Sequence, residues 1–185
     1  MKRKKLKPAS RESEKPKSRG GGKKDFRSDQ KPHHPSHETL SAEHFNKAWE
    51  LMEKRDRTAE DVREMVTRSH ASLWHWMQRP DCKPRNLSIG TWQLARIYSL
   101  IGEAGLALDY GRISLEYAPP EQPFFAGYAH EAMARAAMIA GDWGSAAKYL
   151  REAGMWCDKV KERKAKSMLQ KDLELISARL PRKGG

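Results

Sequence analysis

TWQLARIYSLIGEAGLALDYGRISLEYAPP (residues 91–120) is followed by a second stretch of the same pattern, HEAMARAAMIAGDWGSAAKYLREAGMWCD (residues 130–158). With Gly102 set on Gly141, 39 residues on, Leu94-Ala95 falls on Met133-Ala134, Arg96 on Arg135, Ala107 on Ala146 and Ser114 on Ala153. Apolar residues recur at helical spacing on both sides of each glycine, so each stretch reads as two helices joined by a turn. The small side chains of Ala95, Ala107, Ala134 and Ala146 let the helices of a pair cross closely. Tyr98 and Leu150 fill the space beside those crossings, and the two glycines suit a tight turn of positive φ.

The period continues outward in both directions. In ETLSAEHFNKAWELMEKRD, Phe45, Ala48, Trp49 and Met52 share a stripe with Leu51 beside it, and Ser41 is the expected N-cap. Thr58 is expected to cap a second helix, with Glu60 and Asp61 placed in its first turn where negative charge suits the helix dipole, and Pro80 ends it. Further helices are predicted over 87–101, 104–117, 123–140, 143–158 and about 161–179. Turns fall at GEAG, APPEQ and GDWG, and no window alternates apolar and polar residues long enough for a strand. Seven helices on short loops predict antiparallel neighbours in an all-α fold. The last helix carries Ala165, Met168, Leu169, Leu173 and Ile176 on one stripe and charges elsewhere, as the terminal element of an array would.

The doubled segment resembles the tetratricopeptide repeat family, whose signature is W-x2-L-G-x2-Y, then A-x3-F, then P. Leu94, Ala95, Tyr98, Ala107 and Pro119 match it in the first copy; Met133, Ala134 and Ala146 match in the second, with Leu150 in place of the aromatic. Thr91 and His130 stand where the family prefers Trp, Gly111 where it prefers Phe, and Asp158 where it prefers Pro. The period exceeds the family's usual spacing of about 34 residues, and the surplus fits in the APPEQPF connection. The resemblance covers roughly residues 40–158, with 40–78 as a degenerate first repeat. It implies a right-handed superhelix of about three antiparallel pairs with a capping helix over 161–179, the helical domain spanning 39–180 and 181–185 forming a disordered C-terminus. It also implies a concave groove lined by the first helix of each pair. Alignment places Ile89, Trp92, Arg96, Ser99 and Leu100 there from one repeat, and Tyr128, Glu131, Arg135, Met138 and Ile139 from the next. Trp92 and Tyr128 would be aromatic anchors, and Arg96 and Arg135 would capture a carboxylate, unless they pair with Glu131 or other acids of the chain. The Lys and Asn pattern of the family's carboxylate-clamping subgroup is not found here.

Charge is uneven along the chain. The net +12 divides into +8 over residues 1–38 and +4 over the rest. Residues 1–38 are rich in Lys, Arg, Ser, Pro and Gly and hold one aromatic, Phe26, so they are expected to be a disordered tail. Lys2, Arg3, Lys4, Lys5 and Lys7 make it a candidate arm for nucleic acid or another polyanion, with a solubilising extension as the plainer reading. The cationic start is followed by no apolar run, and no stretch approaches the length of a membrane span, so a cytoplasmic protein is expected, or a nuclear one in a eukaryote through KRKK. Cys82 and Cys157 read as reduced thiols, with a disulfide between them left open.

Residues 69–86, SHASLWHWMQRPDCKPRN, concentrate chemistry-bearing side chains. Their spacing argues for packing instead: Val62, Met65, Val66, Ser69, Leu73 and Trp76 share one helical face, and DCKPRN is a connection. His70 and Cys82 lack a third orienting group for a dyad. His70 and His75 are five apart, off a common face, and His33, His34 and His37 are a chance cluster in a polar tail. No catalytic residue, metal site or cofactor is expected. The reading is a non-enzymatic adaptor that binds a protein or peptide segment in its groove; the alternative is a nucleic-acid- or ribosome-associated factor acting through the tail.

Overall fold

The computed structural model describes residues 35–181, and all seven elements in that range are helices: α1 (His37–Glu53), α2 (Ala59–Met77), α3 (Pro84–Leu100), α4 (Ala104–Tyr117), α5 (Pro123–Ile139), α6 (Trp143–Asp158) and α7 (Arg163–Ser177). None of them is long and apolar enough to cross a membrane.

Local chemistry sets the helix ends. α1 begins earlier than expected, because Ser36 and not Ser41 caps it: Thr39 N donates to Ser36 Oγ at 3.1 Å. His37 and Glu38, assigned to the tail by composition, are therefore helical. Ser41 is buried and makes tertiary contacts instead. Thr58 caps α2 as expected, and Asp61, expected there only for the helix dipole, closes a capping box: Asp61 N donates to Thr58 Oγ1 at 3.1 Å and Thr58 N to Asp61 Oδ2 at 2.7 Å. Lys54 and the Thr58 donors hold the Asp61 carboxyl down at about 2. α3 starts at Pro84, before the expected 87, since a proline at the first helical position sacrifices no hydrogen bond. Pro123 does the same for α5, 39 residues on.

The two aligned turns are built identically. After α3, Glu103 N donates to Tyr98 O at 2.9 Å and Gly102 N to Ser99 O at 3.4 Å; after α5, Asp142 N donates to Ala137 O at 2.9 Å and Gly141 N to Met138 O at 3.0 Å. This pair of bonds is the Schellman motif, and it demands a left-handed residue. Gly102 and Gly141 supply it, with φ of 86° and 75°. An added Cβ would meet nothing within 4 Å at either position, so the cost of replacement is purely conformational. Gly102→Ala and Gly141→Ala are each expected to destabilise by about 1 kcal/mol. Gly105→Ala, in open space within α4, should stabilise by about 0.5–1 kcal/mol. Urea titrations of the three variants check the opposite signs.

Contacts join sequence neighbours and alternate odd-numbered helices. α1 packs on α2, α3 on α4 and α5 on α6; α2 meets α3, α4 meets α5, α6 meets α7; and α1–α3, α3–α5 and α5–α7 touch along one side. α2 also reaches α4 through side chains, His70 meeting Tyr110 edge-on at 5.8 Å between ring centroids. Short loops make the packed neighbours antiparallel. At the crossings the side chains are small. Ser72 Oγ donates to Ser41 O at 2.7 Å between α1 and α2, and between α3 and α4 Ser88 Oγ donates to Ser114 O while Ser114 Oγ donates to Ser88 O, each at 2.9 Å. Between α5 and α6, Gly127 faces the Ala153 carbonyl. These hydroxyls are buried, and the facing carbonyls satisfy them.

The departures from the repeat signature have partners in the fold. A Cβ on Gly111 would lie 2.7 Å from Met133 Cγ, so Met133 already occupies the space beside it. Thr91 Oγ1 donates to Leu87 O of its own helix at 2.7 Å. His130 Nδ1 lies 3.0 Å from Glu152 Oε2, but off the line of a hydrogen bond, and burial keeps the imidazole pKa below its usual value.

Candidate partner-binding groove

The odd-numbered helices share a groove of about 560 Å³. α1 contributes Phe45 and Trp49, α3 Ile89, Trp92 and Arg96, α5 Phe124, Phe125 and Tyr128, and α7 Met168 and Asp172. The aromatic rings form one continuous series. Phe45 stacks on Trp49 at 6.3 Å between centroids, Trp49 on Trp92 at 5.8 Å, Trp92 meets Tyr128 edge-on at 5.3 Å, Tyr128 meets Phe124 at 4.9 Å and Phe124 meets Phe125 at 5.6 Å. Such offset and edge-to-face contacts suit the ring quadrupoles and hold the side chains in place.

Polar groups anchor rings within this series. Tyr128 Oη donates to Asp172 Oδ2 at 2.8 Å, tying α5 to α7; burial, then that bond, push the phenol pKa well up. Trp49 Nε1 donates to Glu53 Oε1 at 2.8 Å. Arg96 lies 5.6 Å from the centre of the Trp92 ring.

Glu131, expected on the groove, is instead fully buried behind it. Its Oε1 accepts from Arg96 Nη1 at 3.0 Å and from Arg135 Nε at 2.5 Å, and Trp92 Nε1 points at its Oε2 at 3.4 Å. The pairing of the arginines with Glu131, left open by the sequence, is realised. Charge decides this: a fully buried carboxylate is tolerated only against cations, and the two arginines one helix turn or one helix away supply them.

Of the other expected residues, Trp92, Arg96 and Tyr128 line the groove, while Ser99, Arg135 and Met138 line a smaller cavity that Arg96 also borders. Lys2, Arg3, Lys4, Lys5 and Lys7 lie outside the described residues. Phe45, Trp49, Phe124, Met168 and Asp172 belong to the groove without having been expected there. Phe45 and Trp49 sit four apart on a stripe legible in the sequence, and Phe124 sits four before Tyr128; that spacing was the available signal.

The residues of SHASLWHWMQRPDCKPRN are brought to separate places. His70 Nε2 pairs with Tyr98 Oη at 2.9 Å, and burial lowers its pKa. Cys82 Sγ faces Lys83 O at 3.9 Å, with burial raising its thiol pKa, and Ser69 Oγ donates to Gln93 Oε1 at 3.1 Å. A nucleophile needs a lowered thiol pKa or a neighbouring base, and none of these three has either. Cys82 and Cys157 are both free thiols. His75 meets His37, Nδ1 to Nδ1 at 2.8 Å, and stacks on His44, a cluster invisible to helical spacing because it joins α1 to α2. Among the described residues no group of three His, Cys, Asp or Glu side chains is placed to hold a metal ion.

No family model, curated protein or solved structure matches the chain.

Proposed function

We propose that the chain is a non-enzymatic adaptor whose helices form a short right-handed array of tetratricopeptide type, three pairs and an end helix, that seats a partner segment in the aromatic groove. The observation that carries this reading is the ring series from Phe45 to Phe125, six aromatic side chains from three helices lining one groove. Aromatic rings at a site of this size, with a few polar groups at its edges, are the usual composition of a recognition surface. The occupant fitting it is a peptide segment, extended or helical, with apolar side chains for the rings. Arg96 and Asp172, on the two odd-numbered helices that pack against α5, give it a direction.

The test is peptide selection from a random library on the full chain, followed by titration of the selected peptides. Trp49→Ala and Phe124→Ala are each expected to weaken binding roughly 30-fold, the effect of a hot spot worth about 2 kcal/mol, with the helical circular dichroism retained. Peptides that bind both variants as tightly as the unsubstituted chain would place recognition elsewhere.

A further inference from the structure

A second cavity, of about 110 Å³, lies where α3, α5 and the end of α7 converge. Arg96, Ser99, Arg135, Met138, Ile176 and Arg179 contribute to its wall. Leu100 and Ile139, both more than 40% exposed, and the exposed Arg179 border it, so it is open to solvent. Two features of this wall are unusual.

The first is its charge. Three guanidinium groups face one small space, and no carboxylate lines it. Glu131 offsets one of the three charges from behind, through an oxygen shared by Arg96 and Arg135. Among the described residues Arg179 makes no ion pair. Two positive charges are left over. Arg135 uses its Nε on Glu131, which leaves both of its terminal nitrogens as donors, and Arg96 commits only one terminal nitrogen to Glu131. The second feature is Ser99, a half-buried residue of the same wall whose Oγ has no hydrogen-bond partner and is closed to solvent, so that a rotation about its Cα–Cβ bond presents the hydroxyl to a ligand in the cavity. A buried polar atom left unpaired is costly, and a ligand that pairs it recovers that cost.

We infer that this cavity binds a doubly charged tetrahedral oxyanion, a phosphoryl group held by the forks of Arg135 and Arg179 with the Ser99 hydroxyl as a further donor. The residual charge of the wall matches a phosphate dianion better than a single carboxylate. Planar guanidinium forks suit its paired oxygens. The volume is several times the ~30 Å³ share of one water molecule, enough for a phosphoryl group, and far below the ~300 Å³ at which pockets begin to enclose larger ligands. This site needs no peptide in the aromatic groove, so it stands or falls independently of that reading.

The test follows the arginine Nε–Hε signals of the full chain by NMR at about pH 7.5, where a phosphate ester with a second pKa of ~6 is a dianion and inorganic phosphate, whose second pKa lies roughly one unit higher, is mostly one. Inorganic phosphate is titrated at constant ionic strength, with chloride and acetate as controls and O-phosphoserine as an ester. The Arg135 and Arg179 signals should shift saturably with phosphate, at an affinity roughly tenfold or more above acetate. Ser99→Ala should weaken phosphate roughly tenfold, and Arg179→Gln, at an exposed position, should abolish saturation without changing the fold. Tighter binding of phosphoserine would identify an esterified phosphoryl group as the occupant, and tighter binding of phosphate the free ion. Shifts that track ionic strength alike in all salts, or an unchanged affinity in Arg179→Gln, would overturn the inference.

Discussion

Replacing Glu131 with alanine is expected to cost about 3 kcal/mol of folding stability, the low end of the range for removing one partner of a buried ion pair. The carboxylate is fully buried and is the common acceptor for Arg96 and Arg135, whose side chains are each 19% exposed. Without it two guanidinium groups are left side by side, largely desolvated and mutually repelling. Their residual exposure places the estimate at the low end, since water takes up part of the lost interaction. Two further variants separate charge from packing. Glu131→Gln keeps the shape and part of the hydrogen bonding, and should cost less. Replacing all three residues with apolar ones of similar volume, Arg96→Met, Glu131→Leu and Arg135→Met, should recover most of the stability, because the desolvation cost of the charges goes with them. Urea denaturation followed by circular dichroism reads all three. An alanine variant within about 0.5 kcal/mol of the unsubstituted chain, the range of ordinary surface changes, would show that Glu131 does not organise this region.

Leu169→Ala should also cost about 3 kcal/mol, and its effect should concentrate in α7. Leu169 is fully buried, packs with Tyr128 and Cys157, and presses so closely on Gly127 that a Cβ there would lie 2.5 Å from its Cδ2. Truncation leaves a cavity between α5 and α7 that neither backbone readily closes, and core Leu→Ala changes fall in the 2–5 kcal/mol range, roughly. α7 is the last helix among the described residues and packs on α5 and α6 alone, held besides by Ile176 and by the Tyr128–Asp172 bond. Amide exchange in α7 should therefore accelerate more than in α3 or α5. Uniform acceleration across all helices would mean that α7 does not open separately. The complementary change, Gly127→Ala, forces Leu169 away and should cost about 1–3 kcal/mol from overpacking, against which the gain in helix propensity recovers up to about 1 kcal/mol.

The groove was half legible. Trp92, Arg96 and Tyr128 follow from aligning two helix pairs, but the fixed offset holds only in part: it carries Ile89 onto Tyr128 within the groove, while it carries Trp92 onto the buried Glu131 and Arg96 onto Arg135 of the smaller cavity. Phe45 and Trp49 do not follow, because the first pair has a different spacing: Ser41 meets its partner helix as Ser88 does, an offset of 47 residues and not 39. Neither glycine turn nor signature residue marks that offset in the sequence. The connection from α1 to α2, residues 54–58, carries no positive-φ glycine among the described residues.

What the sequence determined by itself is everything whose energy is settled within about one helical turn. The doubled glycine turns, the cap at Thr58 and the seven helices are of this kind, since a Schellman turn or a cap is completed by residues at most five positions apart. What only the tertiary structure decided is the partner of each long side chain. Arg96 and Glu131 are 35 residues apart and Tyr128 and Asp172 are 44 apart. Whether such groups face solvent, a ligand or each other depends on the angle and depth at which whole helices cross, a quantity set by the summed packing of both faces and by no local pattern.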